Sequence, residues 1–219
     1  MQIDTENEFF QLAWYYVTDT MRTVYLTGKA GTGKTTFLRY IRDNTHKNTA
    51  VVAPTGVAAI NAGGTTIPSF FQLPFGPYLP NGKNNLPANF RLSAERREVL
   101  ESLELLIIDE ISMVRCDMLD AIDAVLKYCR REHGKPYGGV QVLYIGDLFQ
   151  LPPVNNSSDW QLLSTVYKCP YFFGSLVVTA QLPVFVELNK VYRQKDSSFL
   201  NLLNRVRNNK TNTDDFDLL

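Results

Sequence analysis

The sequence predicts an α/β fold in which helices flank a mostly parallel β-sheet, and three observations carry that prediction. Short apolar runs alternate along the chain with segments of helical periodicity, the pattern of strands joined by helical crossovers. One run, Leu105-Leu106-Ile107-Ile108, is unbroken rather than alternating, as a central strand covered on both faces requires. A Gly-rich turn, Gly28 to Gly33, lies between the first such run and the helical segment after it. With 219 residues, 45% of them hydrophobic, the chain has apolar material for one sizeable core, so residues 1–219 are expected to form one domain.

The elements follow in order. From Asp4 to Thr18, apolar residues at Phe9, Phe10, Ala13, Trp14 and Val17 repeat with helical spacing after polar residues able to cap them. Thr23 to Leu26 is a short strand, Thr35 to Arg42 a helix and Ala50 to Ala53 the next strand. Pro54 and Gly56 break it, and Val57 to Asn61 suits a helical turn. Residues 73–92 hold four prolines, two glycines and four asparagines, which predicts a long surface excursion with a poorly ordered tip. Ser93 to Leu103 reads as a helix, Glu104 to Asp109 as a strand, and Met118, Leu119, Ile122, Val125 and Leu126 mark another helix. Strands at Val140 to Ile145 and Val184 to Leu188 and a closing helix from Ser197 to about Arg207 complete the pattern.

Charge and cysteine content exclude more than they suggest. Lys plus Arg total 22 and Asp plus Glu total 22, so no net positive field recommends a nucleic-acid partner, and any such groove must come from local arrangement. Cys116, Cys129 and Cys169 are odd in number and without clustered histidines, which argues against a disulfide framework or a zinc site and for buried thiols in a reducing compartment. The start, MQIDTENEFF, lacks a basic segment followed by an apolar one, and no apolar run reaches membrane-spanning length. An intracellular protein without a membrane partner is expected.

Chemistry enters with Gly28-Lys29-Ala30-Gly31-Thr32-Gly33-Lys34-Thr35, which fits G-x-x-x-x-G-K-[ST] at every fixed position and lies between a strand and a helix, as its mechanism demands. Glycines let backbone N–H groups converge on phosphate oxygens, and the helix N-terminus adds its dipole. Lys34 reaches the outer phosphates, Thr35 ligates magnesium, and Thr36 closes the nucleotide-binding stretch. Alone, the motif specifies only a nucleoside triphosphate. A second requirement is a carboxylate ending a buried strand to hold Mg2+, which Asp109 supplies; Glu110 beside it is placed to deprotonate an attacking water.

Taken together, LTGKAGTGKT at Leu26 to Thr35, APTGVAAINAGGTTIPSFF at Ala53 to Phe71, IIDEISM at Ile107 to Met113, GGVQVLYIGDLFQLPPV at Gly138 to Val154 and LNKVYRQ at Leu188 to Gln194 resemble, in content and order, the petite integration frequency (PIF) helicases of superfamily one, RecD-like class. The resemblance implies a RecA-like P-loop NTPase domain, with ATP and Mg2+ as cofactors. It implies that Gln150 senses the terminal phosphate on a turn shaped by Asp147, and that Arg193 reaches the transferred phosphate. It also implies a single-stranded DNA track at Pro54, Thr55, Gly56, Thr65, Phe70 and Phe71, although the spacing of the two phenylalanines suits a core role equally.

Other implications of the resemblance are positional. Met118 to Arg130 resembles the family's signature helix; Lys127, Arg130, Arg131, His133 and Lys135 either line a DNA path or form a solvated helix end. The 73–92 excursion stands where related motors split the duplex, with Asn81, Lys83 and Arg91 as its polar groups, and an idle surface loop suits that stretch as well. Two positions depart from the family: Asn7 replaces the usual adenine-reading Gln, and Pro68 replaces a His. The expected whole is a monomeric ATP-dependent 5′ to 3′ helicase acting on single-stranded DNA and duplex junctions. Its second motor domain is expected to lie outside this chain, which alone should bind ATP weakly and not unwind. A DNA-dependent ATPase or nucleotide switch that never unwinds is the alternative.

Overall fold

The computed structural model describes residues 4–74, 76–80, 86, 90–192, 202, 205–206 and 209–211. The expected helix from 197 to 207 and the tip of the excursion lie largely outside these residues. In chain order the elements are α1 (Glu8–Asp19), β1 (Val24–Gly28), α2 (Lys34–Asn44), β2 (Thr49–Ala53), α3 (Gly56–Ala62), β3 (Thr65–Thr66) and α4 (Ile67–Phe71). Then follow α5 (Ala94–Ser102), β4 (Leu105–Ile108), α6 (Cys116–Arg130), β5 (Gln141–Ile145), α7 (Ser157–Leu163), α8 (Leu176–Ala180) and β6 (Val184–Leu188).

Among the described residues the strands form one sheet in the order β3-β2-β4-β5-β1-β6, with every pairing parallel. Period-two alternation divides its side chains between two cores. Leu26, Leu105, Ile107, Leu143 and Ile145 face α1 and α2, where they meet Ala13, Val17, Phe37 and Ile41. Tyr25, Leu106, Ile108, Val142 and Tyr144 face the opposite way, toward α4, α5, α6 and α8. This double coverage explains why β4 reads as a continuous apolar run: all four of its residues are buried.

Polar side chains lock helices to sheet. At the lower end, Lys47 Nζ donates to the carbonyls of Val17 (2.6 Å) and Thr20 (3.0 Å) and to Gln141 Oε1 (2.7 Å). Buried Gln141 in turn donates to the carbonyls of Tyr16 and Arg22, both at 2.9 Å. The last turn of α1 is thereby tied to the start of β5, which fixes where its first turn sits at the other end of the sheet.

Three aspartates on α6 act as struts. Asp117 Oδ2 accepts from the Tyr78 amide (2.9 Å), Asp120 from the amides of Leu176 and Val177 (both 2.9 Å), and Asp123 from the Tyr137 amide (2.6 Å). Each holds a different segment by an amide that lacks a ladder partner, so α6 organises its surroundings as well as filling the core. Its basic end is similarly engaged: Lys127 pairs with Asp123 at 2.6 Å, and Arg130 donates to the carbonyls of Gly138 (2.9 Å) and Leu103 (2.9 Å). Arg130 also lines a shallow hollow with Met21, Thr23 and Lys135, next to the chain that enters β1 and β5 from below. Lys127 and Arg130 are thus engaged within the fold rather than forming a freely solvated helix end.

The excursion is closed at its neck, where the Ser93 amide donates to Gln72 Oε1 at 3.1 Å. Gln72 is the left-handed C-cap of α4 (φ 52°), its amide donating to the Pro68 carbonyl. Leu73, Phe90 and Leu92 pack onto the core at its feet, and Leu79 enters a separate small cluster with Cys116, Leu163, Tyr167 and Trp160. Of the three thiols, Cys116 and Cys129 are buried and Cys169 is half-buried. Burial pushes Cys116 up to about 12 and Cys129 to about 11, so neither is a thiolate at neutral pH.

Candidate active site

The upper, carboxyl ends of the strands carry the chemistry, as in open parallel α/β sheets generally. β1 runs into the phosphate-type loop, β4 into Asp109 and Glu110, β5 into Gly146 and Asp147, and β6 into Lys190 and Tyr192. The loop needs its glycines sterically. A Cβ on Gly28 would lie 2.5 Å from Thr32 Oγ1 and 2.6 Å from the Leu188 carbonyl oxygen, while Gly33 caps α2 in a left-handed conformation at φ 96°. Behind it α2 begins at Lys34.

A cleft of about 240 Å³ opens over that helix start. Ala30, Gly31, Thr32, Gly33, Lys34, Thr35 and Thr36 form its floor, and Glu110 and Gln150 come in from the ends of β4 and β5. Gly28, Lys29 and Asp109, also expected at the site, are not among its lining residues. Lys34 Nζ donates to the carbonyls of Gly28 (2.6 Å) and Lys29 (3.3 Å), so the ammonium already lies over the loop that would hold phosphates. Asp147 is buried, and its side chain and carbonyl accept from the amides of Phe149 (3.1 Å) and Gln150 (2.9 Å), which fixes the turn presenting Gln150.

Electrostatics mark the end of β4. Burial, with the neighbouring Glu110 charge as a second cause, pushes the Asp109 carboxyl up to about 6, while the Glu110 amide and Lys34 act in the opposite direction. Glu110 itself adopts φ 51°, a left-handed conformation costing a non-glycine residue about 1–2 kcal/mol. Such strain persists where surrounding structure enforces it, commonly at functional sites.

Reading the sequence did not single out several residues of this cleft. Asp4, Phe10, Leu188, Lys190 and Tyr192 also line it. Tyr192 donates its amide to the Gly31 carbonyl (3.0 Å) and its hydroxyl to Asp4 Oδ2 (3.0 Å), an oxygen that Lys190 Nζ also reaches. The hydrogen bonds from Lys190 and Tyr192 hold the Asp4 carboxyl below its ordinary value. Asn7 lines the cleft too, but its Oδ1 accepts from the amides of Phe9 (3.0 Å) and Phe10 (3.1 Å) as the α1 cap. The amide expected to offer both a donor and an acceptor to a base therefore has its acceptor engaged. Arg193 lies outside the described residues.

The proposed DNA track divides. Pro54, Thr55 and Gly56 sit where β2 gives way to α3, with Thr55 Oγ1 accepting from the Ala58 amide at 3.2 Å, and Thr65 is exposed on β3 beside them. Phe70 and Phe71 are 7% and 0% exposed and pack edge to face at 5.0 Å in the core, so the alternative of base-stacking rings is corrected to core residues. Arg96 covers Phe70 from outside, 5.0 Å from the ring centre. Val57 and Ile60, at 73% and 80% exposure, are instead the apolar groups that α3 presents to solvent near Thr55.

The family described as PIF1-like helicase matches residues 6–217. The chain belongs to that family. Among PIF1-like relatives, the human ATP-dependent DNA helicase PIF1 is 37% identical over 192 residues, covering 85% of this chain and 27% of the human protein. The helicase of the same name from Saccharomyces cerevisiae strain YJM789 is 34% identical over 194 residues, covering 84% of this chain and 21% of the yeast protein. The chain thus spans about a quarter of the curated PIF1 relatives it matches. Bacteroides Pif1 in a crystal structure bound to single-stranded DNA is 46% identical with a TM-score of 0.88, covering 97% of this chain and 48% of that one. In complex with ADP-AlF3 and single-stranded DNA, Bacteroides Pif1 matches with a TM-score of 0.89 at the same identity and coverage. The PIF1-like chain therefore has the RecA-like fold.

Proposed function

We propose that this chain is the first RecA-like motor domain of an ATP-dependent DNA helicase, and that ATP binds in the cleft over α2. The observation that carries the reading is convergence: Lys34, Glu110 and Gln150, from three different strand ends, line one cleft above a loop of backbone amides. Lys34 turns from the Gly28 carbonyl to the outer phosphates. Glu110 accepts a proton from the attacking water, and the Gln150 amide orients that water against the terminal phosphate. Asp109 and the Thr35 hydroxyl fit Mg2+: a carboxyl whose ionisation is resisted by burial gains most from a neighbouring dication. Held by Asp109 and Thr35, Mg2+ would supply neutralisation of phosphate charge. Phe10, Leu188 and Tyr192 form the apolar wall that suits a base, and Arg193, next in sequence to Tyr192, is the proposed cis arginine for the transferred phosphate.

Single-stranded DNA is assigned to the rim formed by Pro54, Thr55, Gly56 and Thr65, where hydroxyls and the α3 amides meet phosphates. Movement 5′ to 3′, unwinding at duplex junctions and action as a monomer belong to the same proposal, as does a second motor domain that closes the cleft and completes the track. The exposed apolar run Phe149, Leu151 and Val154 beside Gln150 supports such a closure. The test is ATP hydrolysis with and without single-stranded DNA, for this chain and for one extended by a second motor domain. The reading expects weak nucleotide binding and no strand displacement by 1–219 alone, and DNA-stimulated hydrolysis with unwinding by the extended protein. Efficient unwinding by 1–219, or hydrolysis indifferent to DNA in the longer protein, would contradict it.

A further inference from the structure

We propose that Arg115 is a positioning residue that couples the loop carrying Gln150 to residues 76–80, so that the state of the nucleotide cleft changes how firmly Tyr78 and Leu79 are held. The inference rests on the nucleotide site proposed above and goes beyond it. Six residues after Gln150, two of them proline, the chain enters α7. In the first turn of α7, Asp159 Oδ2 accepts from Arg115 Nη1 at 2.8 Å. The same guanidinium grips Asp117 with two further bonds, Nε to Oδ1 at 2.6 Å and Nη2 to Oδ2 at 3.0 Å, and Asp117 Oδ2 accepts the Tyr78 amide at 2.9 Å. Asp117 is 1% exposed and Arg115 13%, so water screens this chain of charge-assisted bonds poorly.

A second contact runs beside the first. Trp160 and Leu163 of α7 share a small apolar cluster with Leu79 of the excursion, separate from the two main cores. A shift of α7 therefore reaches residues 78 and 79 by two routes. The docked position also carries a penalty, since the Tyr78 hydroxyl is buried without a hydrogen-bond partner among the described residues. An element held by a strong clasp against such a penalty is suited to two resting positions, which coupling requires.

Hydrogen exchange on the whole chain tests this, with ADP, magnesium and aluminium fluoride raised to saturation as the probe and exchange read at residues 28–36 and at the Tyr78 and Leu79 amides. In the wild type, protection at 28–36 should be accompanied by a change of about fivefold or more at Tyr78. Asp159→Asn, at a partly exposed site, should keep the resting exchange of Tyr78 and lose its response to nucleotide. Arg115→Lys, which cannot bridge two carboxylates with one planar fork, should behave likewise. Protection at 28–36 with an unresponsive Tyr78 amide in the wild type, or an equal response in wild type and Asp159→Asn, overturns the coupling. No protection at 28–36 overturns the nucleotide site itself, and the coupling with it.

Discussion

Replacing Asp109 by Asn should stabilise the nucleotide-free chain while disabling it. Burial and the Glu110 charge raise the Asp109 carboxyl from 3.8 to about 6, so between those values the folded chain binds a proton that the unfolded chain has released. Stability therefore falls as pH rises through that window, and the full penalty is present above it. At about 1.4 kcal/mol per unit the upper limit is about 3 kcal/mol; partial solvent contact reduces it to about 2 kcal/mol. For a chain of this size that corresponds to about 4–8 °C in melting temperature. Thermal unfolding of both proteins from pH 4 to 8, with and without Mg-ATP, is the assay. Toward pH 4, near the unfolded value of 3.8, the folded carboxyl is protonated, most of the penalty is gone and the curves should converge; by pH 7.5 Asp109→Asn should melt higher. Mg-ATP should raise the wild-type midpoint and leave the variant's nearly unmoved. Equal midpoints at every pH, or a less stable variant at neutral pH, would refute the assignment of the strain to a buried charge.

Lys34→Ala should abolish binding of a fluorescent ATP analogue in titration, whereas Glu110→Gln should retain it and lose hydrolysis by at least about a hundredfold in single-turnover kinetics; normal hydrolysis by Glu110→Gln would remove Glu110 as the base. Phe71→Ala should cost about 3–5 kcal/mol in urea unfolding, because the ring is wholly buried, and a loss of DNA affinity at unchanged stability would return Phe71 to the track. Arg130→Met should lower the denaturation midpoint by leaving the Gly138 and Leu103 carbonyls without their donor, while the salt dependence of DNA binding by the extended protein stays the same.

Periodicity and caps made much of this fold legible beforehand. Strand β6 occupies the predicted Val184–Leu188, and α5 fills most of the predicted Ser93 to Leu103, with Ser93 as its cap. What escaped has physical causes. β3 is two residues long and α4 five, too short for either period to register, and α4 packs through Ile67, Phe70 and Phe71 rather than through a repeating stripe. α7 begins in Asn155-Asn156-Ser157-Ser158, whose side chains favour turns as readily as a helix start. In the cleft, the loop glycines, Lys34 and Glu110 were legible because their spacing is local. Asp4, Lys190 and Tyr192 were not: they meet across some 186 positions only after β6 has paired with β1. Asn7 illustrates the opposite difficulty, since its residue type was noticed but its use as a helix cap depends on backbone geometry.

The bond from the Ser93 amide to Gln72 Oε1 also bears on how such chains diversify. For a loop whose ends are already fastened together, lengthening adds only a slowly growing closure entropy, about 0.6 kcal/mol for each doubling. The stretch between these two residues is thus a socket: segments of different length and composition could be grafted there while α4 and α5 keep their positions.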